Sequence, residues 1–126
     1  MTDIATCLDE FQLMAEGLPR PLIIYRLIDH AIVYANRFGQ KVLNDTMQSH
    51  EGEFVGDIFY SELDLRRIES QLLIKDFCSA RDVKLHTQDG RCMRKNIFAR
   101  STLYEDCQAV TLIFSDSDTS SYAYQI

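Results

Sequence analysis

The residues capable of chemistry are few and scattered. Four cysteines stand at positions 7, 78, 92 and 107, and three histidines at 30, 50 and 86. No Cys-x-x-Cys pair occurs, and no histidine lies at metal-ligand spacing from a cysteine. Thiols dispersed in this way read as small core or surface residues of a protein in a reducing, cytoplasmic compartment. General acid–base chemistry needs a titratable group poised in an apolar pocket beside a partner. His86, Asp82 and Asp57 are the candidates that fall near a sheet or its lids. None belongs to a nucleophile pattern, and the chain has neither a GxGxxG fingerprint nor a phosphate loop. All three are expected at the surface, and the chain is not expected to be an enzyme.

Arg94 and Asn96 are the other polar residues of interest. They follow Asp89-Gly90, the dipeptide that best tolerates a two-residue hairpin turn. A two-residue turn there pairs Leu85 with Arg94 and Val83 with Asn96, and places Lys84 opposite Lys95 and His86 opposite Met93. Neither face of that hairpin is then cleanly apolar, so the pattern does not decide which face points inward. A charge turned inward is costly unless paired or bound. The side chains either reach the rim or pair with nearby acids. The alternative is that Arg94 and Asn96 meet a polar or anionic ligand.

The elements that must position these residues follow from periodicity. Arg81 to Asp116 reads as three consecutive antiparallel strands: Asp82–Thr87, Arg91–Thr102 and Cys107–Phe114. The last is apolar on both faces, which predicts that both are covered. Upstream, Pro21–Leu27 and Ala31–Ala35 form a hairpin around Asp29-His30. Asn36 stands at a strand-to-helix junction, where it can cap a helix over 37–44. Residues 45–56 read as a polar loop. Ser61 or Asp64 caps a helix over 62–75, whose Leu65, Ile68, Leu72 and Leu73 recur at helical steps. Residues 3–17 suit a helix with an apolar stripe of Ile4, Leu8, Phe11, Ala15 and Leu18. That stripe either lies on the domain's own sheet or pairs with its copy in a dimer. It is too short to hold a dimer alone. The prediction is α+β, with a five-stranded antiparallel sheet in the order 2-1-5-4-3 and short helices across one face.

The whole is one domain of 126 residues with 46% hydrophobic content. No apolar run approaches the ~20 residues of a membrane span. The opening Met1-Thr2-Asp3-Ile4 has no basic start and no apolar core, unlike a secretion signal. The net charge of −6 is uneven. Residues 1–18 and 105–126 each carry four acids and no base, so the middle holds all 13 bases against 11 acids. A near-neutral middle excludes nucleic acid as a direct partner, because phosphate binding needs a surplus of Lys and Arg.

This order of elements resembles the PAS sensory domain over about Leu18 to Asp118. Ala31-Ile32-Val33-Tyr34-Ala35-Asn36 is similar to the family's second strand and the asparagine that opens the next helix. Val55-Gly56-Asp57-Ile58-Phe59-Tyr60 looks like its glycine-plus-apolar stretch, and Ser61 to Arg67 like the acidic-then-Arg start of its long helix. Gln88-Asp89-Gly90 matches the central hairpin turn. Tyr104-Glu105-Asp106 matches the last turn, without the usual glycine. Asp116 stands where the family's terminal Asp-Ile-Thr begins, with Ser117 and Asp118 replacing the other two.

The expected organisation is an amphipathic N-terminal helix at 1–18, read from its apolar stripe, a PAS-like domain at 19–118, implied by the resemblance, and a polar tail at 119–126. The resemblance also implies a cavity between helices and sheet. Its candidate lining is Ile24, Tyr34 and Phe38 from the first half, Ile58, Phe59 and Leu72 from the lids, and Leu85, Arg94, Asn96 and Leu112 from the meander. Ile4, Leu8, Phe11 and Ala15 are the candidate dimer contacts. No cofactor is named. Flavin-adduct members carry a cysteine in the helix after the second strand and haem members often a histidine on the long helix, and this chain has neither. The expected role is a bacterial-style signalling module, homodimeric, that binds a small ligand or a protein and acts on a kinase, cyclase or similar output domain. A small acid–base enzyme on a cone-shaped α+β fold and a pure dimerisation module with a filled core are the alternatives.

Overall fold

The computed structural model describes residues 20–46 and 54–117. The stripe of Ile4, Leu8, Phe11 and Ala15, the tail at 119–126 and the middle of the polar loop lie outside the described residues. Strands β1 (Leu22–Arg26) and β2 (Ile32–Ala35) lead into helix α1 (Arg37–Thr46). A 3-10 turn at Val55–Asp57 and helix α2 (Glu62–Ile74) follow. Strands β3 (Phe77–His86), β4 (Cys92–Tyr104) and β5 (Cys107–Asp116) complete one antiparallel sheet in the order β2-β1-β5-β4-β3. The fold class and strand order are those the sequence predicts.

Local chemistry explains the helix starts. Asn36 Oδ1 accepts from the Gly39 N–H at 2.7 Å, an N-cap to α1. Ser61 caps α2 by accepting from the Leu63 N–H at 3.3 Å. The helices cover one face of the sheet. There Ile23 and Tyr25 of β1, Val110, Leu112 and Phe114 of β5, and Ile97 and Ala99 of β4 pack with Leu43, Ile58, Leu65 and Ile68. Leu22, Ile24, Tyr104 and Ala109 form a second buried cluster on the opposite face. Four consecutive residues of β5, Ala109 to Leu112, are therefore buried, and the strand is covered on both faces as its composition demands.

The central hairpin departs from the expected register. Leu85 pairs with Met93 and Lys84 with Arg94, one residue away from the two-residue-turn alignment. The Thr87 carbonyl accepts from the Gly90 N–H at 3.1 Å, and the Thr87 N–H donates to the Arg91 carbonyl at 2.9 Å. The loop therefore holds three residues, and Gly90 takes the left-handed position at φ 84°. A one-residue slip exchanges the faces of a strand. Val83 and Leu85 are buried against the helices, so Met93 and Lys95 share that side while Arg94 turns away from it. The strand β3 also begins at Phe77, five residues before the predicted start at Asp82. A bulge between Ala80 and Val83, with Asp82 at φ 55°, separates the two parts and hides the alternation.

The β4–β5 turn is the opposite case. Glu105 and Asp106 both sit at positive φ, 49° and 64°, between the paired Tyr104 and Cys107. Such a two-residue turn favours Asn-Gly, and each L-residue held there costs roughly 1–2 kcal/mol. The double change Glu105→Asn with Asp106→Gly should therefore raise stability by about 1–2 kcal/mol. Urea unfolding measures it, and an unchanged or lower midpoint would show that the turn carries no strain.

Candidate functional site

The polar residues that meet at the helix–sheet joint are Tyr25, His30 and Glu69. Tyr25 alternates inward from β1 and is fully buried. Its hydroxyl donates to Glu69 Oε2 at 2.8 Å. Burial, and then the hydrogen bond to Glu69, push the Tyr25 hydroxyl far above its ordinary pKa, so it remains a donor. His30 stands in the β1–β2 turn at φ 62°, a left-handed position unusual outside glycine. That turn is fixed by Asp29, whose Oδ1 accepts from the Ala31 N–H at 3.1 Å and whose carboxylate also pairs with Arg26. The His30 ring packs edge-on against Tyr25, with centroids 5.6 Å apart. Its Nε2 lies 2.8 Å from the same Glu69 oxygen. Two donors from β1 and its turn thus converge on one carboxylate oxygen of α2.

Glu69 also lines a groove of about 870 Å³. One wall is α2 and the link that follows it, with Arg66, Glu69, Leu72 and Leu73 on the helix and Asp76 just beyond its end. The other is the end of the sheet where β4 turns into β5, with Ser101, Thr102, Leu103, Gln108, Ala109 and Val110. Leu27 closes the β1 side. This size falls within the usual range for small-molecule sites, roughly 300–1,000 Å³.

The predicted cavity residues do not all meet. Ile58, Phe59, Leu85 and Leu112 lie together in the helix-side core, and Leu72 packs against it. Ile24 and Tyr34 lie on the opposite face, where Tyr34 approaches the Tyr104 ring at 6.2 Å between centroids. The placement of those two inside is corrected by the parity of β1, which turns Ile23 and Tyr25 to the helices instead. Phe38 is half-buried, with the Arg37 guanidinium 5.1 Å over its ring. Arg94 is exposed on the far face. Asn96 serves the bulge: its Oδ1 accepts from the Asp82 N–H at 3.0 Å, and its Nδ2 reaches the Asp116 carbonyl at 3.4 Å. Asp82 also accepts from the Ser117 hydroxyl.

The inward charge is Lys95 rather than Arg94. Its ammonium runs along the helix side to Asp116 at 2.8 Å, where the carboxylate is solvent-exposed. The Lys95 hydrogen bond holds the Asp116 carboxyl below its ordinary range. Among the acid–base candidates, Asp57 is exposed, His86 is exposed beside the Tyr60 ring, and Asp82 is half-buried at the bulge. Among the described residues no group of three or more His, Cys, Asp or Glu could hold a metal ion.

Sequence reasoning missed Tyr25, His30 and Glu69 as a unit. One signal existed. Glu69 follows Leu65 by four residues and precedes Leu72 by three, so a carboxylate stands on the apolar stripe of α2.

No family model matches the chain, and no curated protein matches it. Solved structures do. The PAS domain of a protein from Colwellia psychrerythraea aligns over 87% of this chain and 96% of its own, with TM-score 0.69 and 11% identity. The PAS domain of nitrogen regulation protein NR(II) from Vibrio parahaemolyticus covers 91% of this chain and 99% of its own, with TM-score 0.64 and 13% identity. The LOV domain of the blue-light activated histidine kinase from Erythrobacter litoralis covers 79% and 96%, with TM-score 0.60 and 16% identity. The chain has the PAS fold.

Proposed function

We propose that the chain is a sensory or regulatory PAS module that binds a small ligand or a partner and acts on an output domain of a longer protein. The observation that carries this reading is the clasp of Tyr25, His30 and Glu69. It joins α2 to β1 beside an open groove, so a ligand in the groove would act on the joint between helix and sheet. A route outward is available. The end of β5 is fastened through Asn96 and Asp82 to the β3 bulge, and through Asp116 to Lys95. A change in the packing of α2 on the sheet would bear on residues 116–117 through those contacts.

Similar structures named as parts of histidine kinases support a kinase-type output, and the sources Colwellia psychrerythraea, Vibrio parahaemolyticus and Erythrobacter litoralis support a bacterial setting. Free cysteines at 78, 92 and 107 fit a reducing cytoplasm. No helix among the described residues is long and apolar enough to cross a membrane. A homodimer through the stripe of Ile4, Leu8, Phe11 and Ala15 and the outer sheet face belongs to the same proposal. Its support is the exposed Phe77–Phe98 stack on that face, with centroids 6.2 Å apart.

Native mass spectrometry of the purified chain tests the reading, since it reports copy number and any retained small molecule together. A retained metabolite supports the sensor. An empty dimer shifts the reading to a dimerisation module. Turnover of a retained molecule would make the domain a small enzyme.

A further inference from the structure

We infer that the groove between α2 and the β4–β5 end of the sheet binds a small amphipathic cation, an alkyl- or arylammonium, with its head on Glu69 and its body on Leu72, Leu73 and Leu103. The inference deepens the ligand-binding reading and rests on it only for the consequence of binding.

Charge decides the class. The lining of the groove holds two acids, Glu69 on α2 and Asp76 in the link between α2 and β3. The base in its lining is Arg66, which is largely exposed and reaches back along the helix towards Glu62 at 3.7 Å. Ser70, Ser101, Thr102 and Gln108 add hydrogen-bonding groups without charge. An anion entering here meets two like charges. A neutral apolar molecule would strip water from Glu69 and return nothing to it.

Geometry decides the head. Tyr25 and His30 both bond Oε2 of Glu69, and no described residue bonds Oε1. The carboxylate is thus held in one orientation with an acceptor still available. A group oriented before the ligand arrives loses less freedom on binding. Charge-assisted N–H bonds to carboxylates are about twice as strong as neutral ones. The apolar rim supplies the rest. Leu73 and Leu103 are exposed side chains, 89% and 55% accessible, on opposite walls of the groove. Covering such side chains takes apolar surface out of water, which favours an occupant with an alkyl or aryl body.

The test is an amide-proton NMR titration of the full chain with hexylammonium, and with hexanoate and hexan-1-ol as controls of equal length. Hexylammonium should produce saturable shifts at Ser101–Leu103 and Gln108–Val110. It should bind roughly tenfold or more tightly than either control, the factor expected for one charged hydrogen bond. Glu69→Gln should reduce it to the affinity of the alcohol. Leu103→Gln, a change at an exposed residue that leaves the clasp intact, should weaken it several-fold and keeps the test open if Glu69→Gln does not fold. Equal binding of the alcohol, stronger binding of hexanoate, no saturable shift, or shifts only elsewhere would each overturn the proposal. So would a response to a basic amphipathic peptide with none to hexylammonium, which would assign the groove to a protein partner. Groove binding with no response at Asp116 and Ser117 would support the site while removing the sensory reading.

Discussion

Alanine in place of Asn36 should destabilise the domain by about 3–4 kcal/mol, because one side chain satisfies three backbone groups. Its Oδ1 accepts from the Leu22 N–H at 3.0 Å and from the Gly39 N–H at 2.7 Å. Its Nδ2 donates to the Arg20 carbonyl at 2.9 Å. The residue is fully buried, so water cannot replace these bonds without opening the junction. Each buried group left without a partner costs roughly 1–3 kcal/mol. The backbone has no room to relax towards the gap. A Cβ at Gly39 would already lie 2.3 Å from the Leu22 oxygen, so helix and strand are in backbone contact there. Asn36→Asp separates the parts of the effect. It keeps both acceptor contacts, loses the donor to Arg20, and buries a charge that the site does not pair. Its cost should be similar to alanine's even though the cap survives. Urea unfolding of the three proteins measures both. A loss below about 1 kcal/mol for Asn36→Ala would mean that the junction is wet.

The cap that Asn36 makes to α1 was legible because it is local, whereas its bonds to Leu22 and Arg20 cross 14 and 16 positions and were not. Asn36 ends a strand and starts a helix, and residue type alone signals both. The sheet was legible for the same kind of reason. The five strands carry their own composition, and two at one end with three at the other close one antiparallel sheet. The candidate site was much less legible. In β1 the residues Leu22 to Tyr25 are all apolar, so no alternation tells Ile24 from Tyr25. The buried outer cluster around Leu22 and Ile24 removes the contrast that usually marks the core side. A two-residue turn at Asp89-Gly90 sets Arg94 and Asn96 on the same face as Leu85 and Val83, and that mixed face leaves the inward side undecided. One more residue in the loop sends Arg94 to the far face and brings Lys95 to the helix side. The Tyr25–Glu69 bond spans 44 positions, and nothing local to either residue announces it.

Removing the Phe114 ring should cost about 3–5 kcal/mol, the range for a buried aromatic cut to alanine. Phe114 is 0% exposed and pairs across the sheet with Ile97. Its N–H donates to the Pro21 carbonyl at 3.0 Å, so it joins β5 to the start of β1. Two residues later the strand ends at Asp116, beside the contacts that tie it to β4 and the β3 bulge. A cavity at position 114 therefore loosens the end of β5 as well as the core. Phe114→Ala should speed amide exchange at Ile97 and Ser115 by more than its effect on Val110, which lies nearer the opposite end of the strand. Phe98→Ala is the control. That ring is 40% exposed on the outer face, one residue from Ile97, and its loss should cost no more than about 1 kcal/mol. If both variants lost the same stability, the helix-side core would not be what holds the end of β5. The contacts at Asp116 and Ser117 would then have to hold it alone, although the Asp116 carboxylate stands in water and an exposed ion pair contributes about 1 kcal/mol at most.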